Sequence, residues 1–187
     1  AARDRCGRHE LVADYRDADL TLFVGAADRY QRDIVAHPAY RFGREECFVY
    51  ECGDRPFPLV PGVYANLEHR WHDSRRTRPG FYLRPAEAPW LDRVEPNAKP
   101  SYLFSFVGAV CNASVRREVM CLRSGRGLLQ DTSASAGRGY GQADEVYRDY
   151  MAGYVDSLER SAFVLCPRGV GPASLRIFEA MRAGRAP

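Results

Sequence analysis

The chain has 187 residues, of which 45% are hydrophobic and 27% charged, with a formal net charge of +3. That is ordinary globular material, enough for one large domain or parts of two. The charge is too small and too evenly spread to indicate nucleic-acid binding, and no apolar run approaches the roughly 18 residues of a membrane span.

The basic residues are almost all arginine: Lys99 is the only lysine among the 27 basic positions. A GC-rich genome accounts for the bulk of this bias, so only locally clustered arginines carry an argument about phosphate or carboxylate binding. The sequence shows no initiating Met and no signal peptide, and it stops at Gly184-Arg185-Ala186-Pro187, just past a helix-ending glycine. It reads as a segment of a longer protein.

Residues 20–24 (LTLFV) form an apolar, strand-like run. A helical pattern follows over 28–36, and Pro38 is expected to stop it. Residues 47–51 (CFVYE) read as a second strand, the proline-rich 54–62 as irregular, and 63–67 as a short third strand. Residues 72–100 are polar and proline-rich, which predicts a linker or a long surface excursion. A partial N-terminal α/β domain is therefore expected over 1–95 and a second α/β domain over 96–187.

The second half is more regular. Strands are predicted at 103–107 (LFSFV), 127–131 (GLLQD) and 162–166 (AFVLC). Helices are predicted at 114–123, 144–160 and 172–183, with a Ser/Gly/Ala loop at 132–143. In the 144–160 helix, Tyr147, Met151, Tyr154, Val155 and Leu158 share one stripe and read as core. The order βαβαβα predicts a parallel sheet with helices on both faces.

In such sheets ligands bind beyond the carboxyl ends of the strands. Two loops take that position: 108–110 (GAV) and 167–171 (PRGVG). Pro172 suits the first position of a helix, whose free N–H groups at Ala173 and Ser174 would favour an anion. Arg168 and Arg176 flank this turn and either could reach a diphosphate. Glu179 could accept from a ribose diol or pair with Arg176 or Arg182. By spacing alone the segment reads equally as an anion cradle or as a packing turn. It matches neither a P-loop nor a GxGxxG fingerprint.

Other motifs are weaker. None of the six cysteines forms a CxxC pair, and no zinc site is expected. Cys47 and Cys52 could bridge a hairpin, but buried free thiols are the expected state. His69, His72 and Asp73 read as surface residues rather than a metal site. The sequon Asn112-Ala113-Ser114 matters only in a secretory compartment.

Segments 102–120 (YLFSFVGAVCNASVRREVM), 162–187 (AFVLCPRGVGPASLRIFEAMRAGRAP) and, more loosely, 37–54 (HPAYRFGREECFVYECGD) resemble the exostosin-like glycosyltransferases. Phe106-Val107-Gly108 ahead of an Arg-bearing helix, Cys166-Pro167-Arg168-Gly169, Ser174 with Arg176, Glu179-Ala180 and the final Gly-Arg-x-Pro fall at the family's spacing. The resemblance implies a GT-B-like architecture of two Rossmann-like parallel-sheet domains, the N-terminal one partial and the C-terminal one truncated.

It further implies inverting transfer of a sugar, hexosyl or pentosyl, from a nucleotide-diphosphate sugar to a glycan or other hydroxyl acceptor. No cofactor and no metal are expected. Arg168, Ser174 and Arg176 would hold the diphosphate, with Gly169 and Gly171 shaping the loop. Glu179 would hold ribose or sugar hydroxyls, and Gly108 would let the facing loop approach. Arg116 or Arg117 would add a phosphate contact, Arg117 being the one assigned. The general base is expected on the first domain, where spacing does not separate Asp54, Asp28, His37 and His69.

A catalytically silent homologue that binds a nucleotide or glycan as a partner subunit is the alternative. The expected setting is bacterial, cytoplasmic or at the membrane surface, with association through parts outside these residues. The Golgi lumen is the second expectation.

Overall fold

The computed structural model describes residues 7–25, 30–82, 91, 99–122, 124–135 and 145–187. The chain divides into two compact units, Ala1–Phe81 and Tyr82–Pro187. Among the described residues no helix is long and apolar enough to cross a membrane.

The first unit holds strands β1 (Thr21–Gly25), β2 (Cys47–Glu51), β3 (Gly62–Tyr64) and β4 (Thr77–Pro79), and helices α1 (Tyr30–Ala36) and α2 (Pro38–Phe42). All four strands are parallel, in the order β1-β2-β3-β4. β2 buries Cys47, Val49 and Glu51 and leaves Phe48 and Tyr50 half-covered. The core joins Cys47 and Val49 to Ile34 of α1 and to Ala39 and Tyr40 of α2, with Val60 and Tyr64 completing it. At Gly62 a Cβ would stand 2.0 Å from the Val49 carbonyl oxygen. Only glycine allows β3 this close to β2.

One expectation holds in this unit and one is corrected. α1 ends at Ala36, ahead of Pro38, and Pro38 in turn opens α2 as its first residue, with the His37 ring Nδ1 accepting from the Ala39 N–H at 3.2 Å. Proline fits there because that N–H has no intrahelical partner to lose. The expected linker contains β4, whose buried Thr77 donates its hydroxyl to the Asp73 carbonyl at 2.9 Å. Pro79 sits in β4 because that strand lies at the end of the sheet order, where a missing ladder N–H is tolerated.

The second unit contains β5 (Tyr102–Gly108), α3 (Ser114–Met120), β6 (Gly127–Asp131), α4 (Glu145–Glu159), β7 (Ser161–Val164) and α5 (Leu175–Arg182). The sheet order is β6-β5-β7, all parallel. The predicted alternation of strands and helices therefore holds, within one or two residues at most boundaries. The sheet-side core joins Val107 and Val164 to Met151, Tyr154 and Leu158 of α4, Ala180 of α5 and Ala183 just after it. Leu158, with no exposed surface, anchors the apolar stripe. The opposite face carries Phe104 and Phe163, paired across the strands and lining a groove with Val119 of α3.

The Gly-Arg-x-Pro ending is structural. Gly184 takes the left-handed conformation (φ 68°) that terminates α5, and Arg185 N–H then donates back to the Ala180 carbonyl. The buried Arg185 guanidinium donates to the carbonyls of Leu158 (3.2 Å) and Glu159 (2.7 Å), capping the negative end of α4.

α5 starts three residues later than expected. Ser174 takes the extended N-cap conformation, and Pro172 and Ala173 lie in the approach to it. The N–H groups at the helix start are thus those of Leu175 and Arg176, not of Ala173 and Ser174. Cys47 is a buried free thiol and Cys52 a half-buried one, so the two do not bridge, while Cys111 and Cys121 are exposed free thiols.

Candidate functional site

The second unit gathers polar groups where its three parallel strands end, and the loops after β5, β6 and β7 meet there. Each loop is held by a named side chain. Asp131, the last residue of β6, accepts at Oδ1 from Val110 N–H (3.1 Å), Ser133 N–H (2.8 Å) and the Ser133 hydroxyl (2.6 Å). The Ser133 oxygen accepts in turn from the N–H groups of Val110 and Cys111. The hydrogen bond from the Ser133 hydroxyl, then the backbone ones, hold Asp131 below the ordinary carboxylate pKa.

Arg116 of α3 grips the same loop from its other end. It is 7% exposed and donates from Nη1 to the Ala109 carbonyl (2.9 Å), from Nε to the Arg168 carbonyl (2.9 Å) and, more loosely, from Nη2 to that of Pro167 (3.5 Å). One guanidinium therefore joins the loops after β5 and β7. Gly169 leaves it room, since a Cβ there would lie 3.0 Å from Arg116 Nη2.

Arg176, on the first turn of α5, reaches the end of β5. Its Nη2 donates to the Val107 carbonyl at 2.8 Å, and its guanidinium lies 5.0 Å from the Phe106 ring centre and 5.9 Å from that of Tyr154. Gly108 makes the approach possible; a Cβ there would come within 2.7 Å of Nη2. The remaining nitrogens, Nε and Nη1, are buried and have no hydrogen-bond partner among the described residues. A cation flanked by two aromatic faces keeps its charge at low cost. Buried N–H groups left without acceptors are nevertheless costly.

Glu179, one turn beyond Arg176, accepts the Tyr154 hydroxyl at 2.6 Å through Oε2. Cys166 sits close enough to feel both residues. Burial pushes its thiol up to about 11, with the Arg176 charge opposing and the Glu179 charge adding. Arg168 is exposed, its Nη2 donating to the Val170 carbonyl at 3.1 Å. Ser174 is buried and its side chain makes no capping bond. Gly171 is buried in the loop and Arg117 is exposed on α3.

Of the sequence-derived site residues, Gly108, Gly169, Arg176 and Glu179 come together around the ends of β5 and β7. Arg117 points to solvent, and its neighbour Arg116 faces the loops instead. The helical spacing contained that signal: Arg116 lies three residues before Val119, on the face that packs against the sheet. Tyr154 read only as core, and its hydroxyl gives it a second role. Asp131 and Ser133 carried no motif.

An apolar groove of about 520 Å³ lies on the Phe104 side of the sheet, lined by Phe104, Val119, Phe163 and Leu165 among others, and touches none of the arginines. Its chemistry does not suit a charged ligand.

The base candidates of the first unit stand in unlike places. His37 caps α2 and packs edge-on against Tyr15 and Phe23. His69 is exposed in a 3-10 turn, Asp54 is exposed after β2, and Asp28 lies outside the described residues. Among the described residues no cluster of His, Cys, Asp or Glu could hold a metal ion.

The second unit is thus a parallel α/β unit whose strand-end loops carry close-fitting glycines, the buried Arg116 and the half-buried Arg176. The chain belongs to the family described as the RXYLT1 C-terminal domain, whose model matches residues 88–187, and this family is related to the exostosin-like glycosyltransferases. No curated protein matches the chain.

Proposed function

We propose that the chain carries the donor site of an inverting glycosyltransferase. The enzyme moves a sugar from a nucleotide-diphosphate sugar to a hydroxyl of a glycan or similar acceptor. The observation that carries this reading is Arg176, with two buried N–H groups that find no acceptor among the described residues, beside two loops whose glycines make room for Arg176 and Arg116. A diphosphate oxygen would complete them.

In the transfer, the acceptor oxygen forms a bond to the anomeric carbon as the bond to the diphosphate oxygen breaks. The electron pair leaves with the nucleotide diphosphate. Arg176, with the exposed Arg168 at the rim, stabilises the charge that develops there, which is where fixed cations have their greatest effect. Tyr154 orients Glu179, whose other oxygen can accept from a ribose or sugar hydroxyl. The proton of the acceptor goes to a base across the sugar from the leaving group, and none of the described residues is assigned that role.

Calorimetric titration with a panel of nucleotide sugars tests the reading, with nucleotide-linked xylose included because the family is xylosyltransferase-like. One sugar nucleotide is expected to bind, and its free nucleoside diphosphate to compete. A protein that binds none of them refutes the proposal. Tight binding with no transfer to any glycan acceptor by the full-length chain would favour a silent, ligand-binding homologue.

A further inference from the structure

We propose that Arg116 is a positioning residue of the diphosphate site: it locks the loops after β5 and β7 together and leaves contact with the anion to other groups. The inference rests on the donor-site reading for what the loops bind, while the lock itself can be measured without any ligand.

The resemblance placed Arg116 or Arg117 on a phosphate. The geometry separates the two residues. Each nitrogen of the Arg116 guanidinium already donates to a backbone carbonyl, at Ala109, Pro167 and Arg168. These carbonyls come from two loops nearly 60 residues apart in sequence, Ala109 in one and Pro167 and Arg168 in the other; the Arg116–Arg168 bond spans 52 positions. The side chain is 7% exposed and lies 5.7 Å from the Phe106 ring centre, the same ring that Arg176 covers. Arginine suits this task because its planar fork can bind several acceptors at once in fixed directions, which a lysine cannot.

The bonds have a further consequence for the loop after β7. In a trans peptide the carbonyl and the following N–H point in opposite directions, and the chain has no cis peptide bond among its described residues. Drawing the Pro167 and Arg168 carbonyls toward α3 turns the N–H groups of Arg168 and Gly169 away from it. Arg116 thus removes two negative dipole ends from the site and presents two positive ones, without spending its own charge on the ligand. Successive N–H groups arranged in this way favour an anion. Gly169 belongs to the same device, because its missing side chain is what lets Nη2 sit at the loop.

Three variants, Arg116→Met, Arg116→Lys and Gly169→Ala, test this. Hydrogen exchange of the ligand-free protein comes first. In Arg116→Met, residues 109–112 and 167–171 should exchange faster together, while α4 keeps its protection. Loosening of neither loop, or of one alone, overturns the lock. Binding of inorganic pyrophosphate by calorimetry at several salt concentrations comes second. Displaced loops should weaken binding by about tenfold or more, and lysine should not rescue it.

The dependence of affinity on salt should keep the wild-type slope, because no charge contact to the anion is lost. A shallower slope, or rescue by lysine, would mean that Arg116 touches the anion, and the proposal fails. Gly169→Ala should weaken binding in the wild type but add little in Arg116→Met, the non-additivity expected of two residues in one device. If Arg116→Met does not fold, Gly169→Ala carries the same exchange and salt measurements with the arginine still present. Wild-type protein that ignores pyrophosphate, with loops that loosen as described in Arg116→Met, sinks the donor-site reading and leaves the lock. Pyrophosphate binding with unmoved loops does the reverse.

Discussion

Both units build a parallel sheet, of four strands in the first and three in the second, and side chains of opposite sign close β2 in the one and β5 and β7 in the other. In the first unit, Glu51 is 3% exposed and its Oε1 accepts the Gly53 N–H at 2.7 Å, while Asn66 donates to the Gly53 carbonyl at 3.0 Å. The turn after β2 is thereby satisfied at both its N–H and its C=O, and the closing charge is negative. In the second unit Asp131 closes β6 in the same way, but at β5 and β7 arginines consume carbonyls, and Arg176 keeps two N–H groups without acceptors among the described residues. The sign of the closing residue decides what a strand end can do. A carboxylate uses up the N–H groups an anion needs, whereas a guanidinium leaves them.

The largest expected effect comes from removing the charge that the second unit leaves unused. Arg176→Met should weaken binding of a nucleoside diphosphate by roughly 10- to 100-fold, the scale of one lost hydrogen bond to a charged group. Its melting temperature should stay level or rise, because two buried N–H groups without acceptors disappear with the side chain. A variant that binds normally, or that loses affinity only because it unfolds, breaks the comparison. Calorimetry beside a thermal melt separates these outcomes.

The matching change in the first unit should do the opposite. Glu51→Ala strands a half-buried Gly53 N–H and should cost about 1 kcal/mol of stability in urea unfolding, with diphosphate affinity untouched. A smaller effect than in Arg176→Met is expected at Gly108→Ala. The new Cβ would meet Arg176 Nη2 at 2.7 Å, and that flexible side-chain end can move. Affinity should fall several-fold, roughly 1 kcal/mol, with little change in melting. Loss as deep as in Arg176→Met would mean that the loop itself, not the guanidinium, carries the contact.

How much of this was legible in the sequence depends on the residue. β2 and β6 could be bounded by inspection because apolar residues run between clear breakers, at Cys47–Glu51 and Gly127–Asp131. β4 was hidden by its own composition. Thr77-Arg78-Pro79 has no apolar pattern, and it becomes a strand only because Gly62 and its neighbours offer a ladder. Pro38 and Pro172 show that a proline marks a helix start only when the residue before it takes the N-cap. His37 does so ahead of Pro38, whereas Ser174 takes it after Pro172.

At the site, the glycines and Arg176 could be carried over on motif spacing. Helical spacing could set Arg116 on the inward face and Arg117 outside, but not name the acceptors of Arg116, because that depends on where carbonyls as far as 52 residues away come to lie. The unpartnered nitrogens of Arg176 likewise exist only once Phe106, Val107 and Tyr154 surround it.

The smallest effect compares one buried weak acid in each unit. Burial raises Tyr64 in the first unit from 10.0 to about 12, and Cys166 in the second from 9.0 to about 11. A folded state that holds a proton more tightly than the unfolded chain is stabilised while that proton is on, and loses the advantage as pH rises. The Cys166 contribution should therefore be complete below about pH 9 and fade toward pH 11, and that of Tyr64 should fade between about pH 10 and 12. Urea midpoints measured across this range should fall, with the 9–11 part of the loss reduced in Cys166→Ala and the 10–12 part reduced in Tyr64→Phe. At neutral pH only about one Cys166 in 10,000 would be thiolate, so maleimide should label the exposed Cys111 and Cys121 first. Arg176 links this titration to the site. Its charge is the main force holding the Cys166 pKa down, so Arg176→Met should move the Cys166 window to still higher pH. A window that stays in place in that variant would show that the guanidinium does not sit where the diphosphate reading needs it.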